Sequence, residues 1–229
     1  MGFSDSFRQN FIEDDRWKYL VNGLKTTLII TLFAVLLGMV LGFLVAIIRS
    51  TYLRTKKLLI PDLICRLYLT VIRGTPVVVQ LLIIYFVIFG SVDVSKTFVA
   101  IIAFGINSGA YVAEIVRGGI MSIDVGQLEA GRSLGLNYRQ TMMYIIMPQA
   151  IKNVLPALCN ECIVLLKETS VAGYIAIEDL TRGGDIIRSI TFAPFLPLLA
   201  VALIYLVVVI LLTKLVGILE RRLSANDRR

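Results

Sequence analysis

The sequence predicts an all-α, polytopic membrane protein with five spanning helices in a single domain. Three observations predict it. Of 229 residues, 57% are hydrophobic and only 17% charged, with a mean hydropathy of +0.83, far from a soluble balance. Several apolar runs are long enough to cross a bilayer core, which takes ~20 helical residues each. The basic residues cluster beside those runs.

The first span reads from Leu28 to Ile48, uncharged and roughly 31 Å long as a helix, with a start near Leu20. The second region, Leu58 to Gly90, would reach roughly 50 Å and is too long for one straight span. It breaks at Arg73-Gly74-Thr75-Pro76: glycine weakens the helix, Thr75 is expected as N-cap, and Pro76 suits a first helical turn. The third span runs from Phe98 to about Met121, the fourth from Ile151 to about Ile177, and the last from Phe192 to Val216. Ahead of them, "DSFRQNFIEDDRWKY" cannot span. Phe7, Phe11 and Trp17 among its charges suggest a short interfacial helix, with Trp17 and Tyr19 at headgroup level. No cleavable signal is evident, and the first span reads as a retained helix.

Five spans place the termini on opposite sides. The loop "RSTYLRTKK" and the tail "ERRLSANDRR" are basic, so the positive-inside rule makes both cytoplasmic and puts the N-terminus outside. "GSVDVSK" and "EDLTRGGDIIR" then fall outside as nearly neutral connections. The organisation expected is one domain over residues 1–229: an interfacial segment 1–19, a core 20–219, a cytoplasmic insert 124–148, and a tail 220–229.

Composition narrows the function. The net charge of +7 sits beside apolar spans, which favours membrane topology over nucleic-acid binding. The chain has no histidine, the commonest general base and metal ligand. It has no Gly-x-x-x-x-Gly-Lys-[Ser/Thr] phosphate loop, so no ATP site is expected in it. Cys159 and Cys162 are read as two small buried residues on one helix rather than as a metal or redox pair.

Polar residues inside the spans are the candidate substrate contacts, because they are expensive to keep there. A half-helix beginning at Pro76 would aim its amides and positive end at a carboxylate, with Arg73, Gly74 and Thr75 beside it. The blander reading is a structural kink, with Arg73 snorkelling or paired to an acid. In the fourth span Asn153, Asn160 and Lys167 recur at spacing seven, with Glu161 and Glu168 on the adjoining edge. Glu161 lies nearest the middle and is the first candidate for a cationic group; a hydrogen bond to another helix or to Arg73 is its blander role. Asn107 and Ser108 in the third span offer neutral hydrogen bonds or close packing. Glu114 is the second acid, and local pairing with Arg117 is its simpler role.

Between the third and fourth spans lies "GQLEAGRSLGLNYRQTMMYIIMPQA". Asp124 and Gln127 resemble a capping box, Gly135 suits a helix C-terminus, Asn137 and Gln140 repeat the start signal, and Pro148 is expected to close the second piece. The insert is thus expected as two short helices joined by a sharp turn. It would present Leu128, Leu134 and Leu136 to a partner.

Glu129-Ala130-Gly131, then Gly135, then Ile146-Met147-Pro148 resembles the EAA signature of bacterial ABC importer permeases, with Gly131 for the second alanine and Met147 for leucine. "NGLKTTL", "VIRGTPVVVQLLIIYF", "SGAYVAEIVRGGI", "MPQAIKNVLPAL" and "LLKETSVAG" extend the likeness to the polar amino acid permeases over nearly the whole chain. The resemblance implies a type I ABC importer permease (MetI-like) core in the bacterial inner membrane. It implies that Gln127, Leu128, Glu129, Ala130, Gly131, Arg132, Leu134 and Gly135 form the coupling helix. It implies two cytoplasmic ATPase subunits carrying ATP and Mg, a second permease subunit (a homodimer being the expectation), and an external amino acid-binding protein. The expected substrate is a polar, basic amino acid, with glutamine as the alternative. An ion-coupled secondary transporter, a non-transporting scaffold and an intramembrane enzyme are the rival readings. The first would show internal repeats, none of which is apparent; the last lacks a nucleophile and base pair.

Overall fold

A 39-residue helix, α2 (Trp17–Thr55), sets the frame of the computed structural model, which describes residues 2–225. The remaining helices are α1 (Phe3–Phe7), α3 (Leu59–Gly74), α4 (Val77–Ile83), α5 (Lys96–Met121), α6 (Val125–Ser133), α7 (Tyr138–Thr141), α8 (Met147–Glu168), α9 (Leu180–Thr191) and α10 (Phe195–Ala225). Four helical stretches are long and apolar enough to cross a membrane, and the bent pair of α3 with residues Val77–Ile88 makes a fifth. Of the expected tail, residues 226–229 lie outside the described residues.

The centre is a pairing of α2 and α5, which run in the same direction. Small residues make it close: a Cβ on Gly42 would lie 2.4 Å from Val112 Cγ1, and one on Gly38 would lie 2.9 Å from Ser108 Cβ. Around this seam lie Ile30, Ala34, Leu81, Ala103, Phe104 and Leu165, all essentially buried. The outward faces are apolar instead. Leu203, Leu206, Val207 and Leu211 on α10, and Leu63, Ile64 and Leu67 on α3, are each about half or more exposed, as a lipid or partner face requires.

The connections at one end of the bundle are Lys56–Leu58 and the insert; at the other lie residues 89–95 and α9. The near-neutral "EDLTRGGDIIR" is therefore no loop. From Leu180 it is helical, and its two glycines serve packing. A Cβ on Gly183 would sit 2.5 Å from the Tyr19 carbonyl oxygen, and one on Gly184 would sit 2.4 Å from Val201 Cγ2. Asp179 caps the helix by accepting the Thr181 and Arg182 amides, both at 3.1 Å. The N-terminal segment packs on this same helix. Phe11 joins Leu180 and Ile187 in a core cluster, and buried Asn10 accepts the Thr191 hydroxyl at 2.9 Å.

Other boundaries also differ from expectation. The helical stretch of the fourth span starts at Tyr138, ahead of the expected Ile151. Pro148 does not close a helix: it sits in the first turn of α8, and a wide turn over Met142–Ile146 carries the helix past it. The helix of the last span runs from Phe195 to Ala225, past the expected span end at Val216.

Candidate functional site

The second span bends by 112° between Gly74 and Val77. Thr75 is not the N-cap of the following helix. Its hydroxyl donates backwards to the Val71 carbonyl at 2.8 Å, finishing α3, and Pro76 holds the cap position without a side-chain cap bond. The groups at the break are gathered by Gln80, which the sequence reading did not single out. Gln80 Nε2 lies 2.7 Å from the Ile72 carbonyl and 2.9 Å from both the Thr75 carbonyl and Oγ1. Gln80 Oε1 in turn accepts from Asn107 Nδ2 at 3.0 Å.

The next residue on α5 faces a different neighbour. The Ser108 hydroxyl donates to Glu161 Oε1 on α8 at 3.0 Å. Asn107, Ser108 and Glu161 are all buried, Glu161 being 8% exposed. Asn107–Ser108 therefore links the break in the second span to the acid of the fourth. The expected stripe of the fourth span divides: Glu161 is inside, Asn160 and Lys167 are exposed, and Asn153 reaches the Ser122 hydroxyl at 3.0 Å.

Arg73 and Glu114 belong to a second, ionic group. Glu114 holds Arg117 at 2.7 Å, Arg49 at 3.4 Å and Arg73 at 3.8 Å. Asp62, 1% exposed, holds Arg66 at 2.7 Å and faces Arg49 Nε at 3.7 Å, where neither atom has a hydrogen-bond partner. Arg49, Arg66, Leu69, Thr70, Arg73, Gly74 and Glu114 line a cavity of about 420 Å³. Arg49 was missed because its partners Asp62 and Glu114 lie on other helices; the Asp62–Arg66 and Glu114–Arg117 spacings are local, but neither shows that Arg49 joins the two pairs.

The insert forms α6 and a tight turn. Asp124 caps it through the Gly126 amide at 2.6 Å, one residue earlier than a capping box with Gln127 requires. At the C-terminus Gly135 takes φ +80°, and Leu136 N–H returns to the Gly131 carbonyl at 3.1 Å. The reciprocal Asn137–Gln140 box forms in full at 2.9 and 3.0 Å. Leu134 is 78% exposed, Leu128 and Leu136 are half-buried, and Gln127, Glu129, Ala130 and Arg132 are exposed. Leu128, Arg132, Gly135, Leu136, Asn137 and Tyr138 line a cavity of about 490 Å³. Gly131 is buried: a Cβ there would meet Thr141 Cγ2 at 2.5 Å and Oγ1 at 2.8 Å. This close approach explains glycine where the resembled signature has alanine.

Residues 38–225, covering α2 from its middle through α10, match the family described as binding-protein-dependent transport system inner membrane component. The chain belongs to that family. It is 37% identical over 210 residues to a putative glutamine transport system permease protein of Rickettsia typhi, covering 91% of this chain and 94% of that one. It is 36% identical over 211 residues to the arginine transport system permease protein of Bacillus subtilis, with the same coverage of both chains. A crystal structure of an amino acid ABC transporter with histidines superposes with a TM-score of 0.82 at 43% identity, over 90% of this chain and 94% of that one. An inward-facing methionine ABC transporter, 17% identical, shares the fold with a TM-score of 0.74, over 92% of this chain and 99% of that one. This member of the permease family thus carries three of its polar groups in distinct places: buried at the junction of the broken span with α5 and α8, in the ionic group around Glu114 and Asp62, and exposed on α6.

Proposed function

We propose that this permease subunit forms the translocation path of an ATP-driven importer for a polar amino acid, basic ones first and glutamine as the alternative. The observation that carries the reading is Glu161. It is a carboxylate buried inside the bundle, faced by the Ser108 hydroxyl and paired with no cation among the described residues. Burying a carboxylate without a cation is costly, and a ligand's ammonium or guanidinium offsets that cost. The substrate carboxylate is assigned to the break at Gly74-Thr75-Pro76 with Arg73 beside it. Asn107 and Ser108 supply neutral contacts. Glu114, already faced by three guanidiniums, contributes by holding Arg73 and Arg49 rather than by meeting the amine. The names of the relatives, which include arginine and glutamine permeases, support the substrate class.

Two cytoplasmic ATPase subunits would seat α6, with Gln127 to Gly135 as the coupling surface. ATP and Mg belong to those subunits, and this chain is not itself an enzyme. A second permease subunit, a copy of this chain in the simplest assembly, and an external binding protein complete the importer. The N-terminus lies outside and the C-terminus in the cytoplasm, in a bacterial inner membrane. Alternating access follows if nucleotide closes the ATPase pair and α6 moves with it; substrate shifts that equilibrium only by binding one state better. Reconstitution with the ATPase, followed by substrate-stimulated hydrolysis measured across the twenty amino acids, tests the reading. Stimulation by arginine, lysine, histidine or glutamine is expected. A flat profile, with and without binding protein, refutes it.

A further inference from the structure

Pro76 has no N–H, so the Ile72 carbonyl, four residues earlier, loses its helical donor. Leaving such a carbonyl unpaired away from water is costly. Gln80 supplies the missing donor from the next turn. Its amide nitrogen faces three oxygens, those of Ile72 and Thr75 at 2.7 to 2.9 Å. With acceptors at one end of the amide and the Asn107 NH2 at the other, the chemistry decides which way Gln80 faces. Gln80 is 7% exposed and Asn107 2% exposed, so the bond between them is shielded from water, whereas Thr75 at the break is exposed. Gly74 lies beside the brace, and a Cβ placed there meets nothing within 4 Å, so the space over this turn is open.

We infer that Gln80 is a positioning residue for substrate: it holds the Thr75 end of the broken span in shape, and Asn107 holds Gln80. The inference rests on the reading above that the substrate carboxylate sits at the break. Asn107 then acts largely through Gln80, although its Oδ1, buried without a partner, remains free to accept from a ligand. Gln80 touches only the protein. Its effect on affinity passes through the carbonyls of Ile72 and Thr75.

The test uses the assembled permease–ATPase complex in lipid nanodiscs with Gln80→Ala, Asn107→Ala, the double variant and Gln80→Glu. Amide exchange over residues 72–80 is followed without substrate. The half-saturating concentration and maximal rate of stimulated ATP hydrolysis are followed with L-arginine and L-glutamine. Each single alanine variant is expected to speed exchange about tenfold, and the double variant no further, because the two residues act in one chain of bonds. Half-saturation should rise about tenfold with the maximal rate kept within about twofold, since the loss is in substrate binding. Gln80→Glu, which keeps an acceptor for Asn107 but offers no N–H, should behave as Gln80→Ala. If Gln80→Ala does not assemble, Asn107→Ala carries the test, since it leaves Gln80's own bonds to the break in place. Unchanged exchange in the variants overturns the brace. Faster exchange with unchanged half-saturation overturns its role in positioning substrate. Gly74→Ala separates these failures from that of the site itself. If it raises half-saturation the break still meets substrate, and if it does not the substrate reading of the break falls as well.

Discussion

The Ser108 hydroxyl reaches Glu161 Oε1 across 3.0 Å and joins α5 to α8 inside the bundle. A carboxylate has room for about four hydrogen bonds, and one neutral donor leaves most of that capacity unused. Asn107, one residue earlier, is turned to Gln80 on the broken span. Two consecutive polar residues thus connect the only sharply bent span among the described residues with the buried acid of the fourth.

Glu161→Gln should separate charged from neutral substrates. The amide keeps the size and an acceptor for Ser108 but loses the charge. Half-saturation for arginine in stimulated ATP hydrolysis is expected to rise about ten- to a hundredfold, the range of a lost charge-assisted hydrogen bond worth about 1.5–3 kcal/mol. Glutamine should change by less than about threefold. Arginine affinity that survives the change would remove Glu161 from the site.

The α2–α5 seam predicts a stability effect unrelated to chemistry. Gly42→Ala would place a methyl group 2.4 Å from Val112 Cγ1 and 2.9 Å from the Ala113 backbone nitrogen. Backbone cannot yield as a flexible side chain can, so overpacking should cost about 1–3 kcal/mol. The thermal midpoint of the detergent-solubilised protein should fall. Gly118→Ala, where a Cβ meets nothing within 4 Å, is the matched control and should not lower the midpoint, since alanine favours the helix over glycine.

Much of this architecture was legible because span length and caps are local signals. The five spans follow from uncharged runs, and the Asn137–Gln140 box and Gly135 follow from residue types at fixed offsets. What escaped depended on contacts distant in sequence. The α9 segment contains two glycines, and its partners Tyr19 and Val201 cannot be inferred from its own pattern. Gln80 is a lone amide in an apolar run, and only the fold brings Ile72, Thr75 and Asn107 around it. Glu114 showed its neighbour Arg117, three residues on, but not Arg49, 65 residues away. Thr75 satisfied the rule for an N-cap, yet the bend turns its hydroxyl to the helix behind it.

Gly131 and Thr141 make a paired prediction for the proposed coupling region. Gly131→Ala alone should clash with the Thr141 side chain, shift α6 relative to the start of the fourth span, and lower ATP hydrolysis coupled to transport. Thr141→Ala removes both clashing atoms but gives up a 3.1 Å hydrogen bond to the Asn137 carbonyl. The double variant should recover coupling beyond the sum of the singles, with an interaction free energy of about 0.5–3 kcal/mol in a thermal-stability cycle. Strict additivity would mean that α6 does not rest on Thr141.

Asp179 predicts a pH dependence outside the spans. Its carboxyl is buried, and loss of hydration pushes its pKa above the ordinary value; the amides of Arg182 and Thr181 oppose this without cancelling it. The sign follows from proton binding. The folded protein binds this proton more tightly than the unfolded chain does, so the contribution is most favourable below the unfolded pKa. It is lost as pH rises through the raised folded one. Asp179→Asn keeps an oxygen acceptor for the cap and has no charge to desolvate, so it should abolish this group's acid-range dependence and raise the thermal midpoint near neutral pH. Asp179→Leu removes the cap as well and should lower stability at every pH by about 1 kcal/mol or more. Thermal unfolding of the three proteins in detergent between pH 4 and 8 checks both signs. A midpoint for Asp179→Asn below that of the parent at neutral pH would mean that the ionised carboxylate, through its two amide bonds, stabilises the fold despite burial.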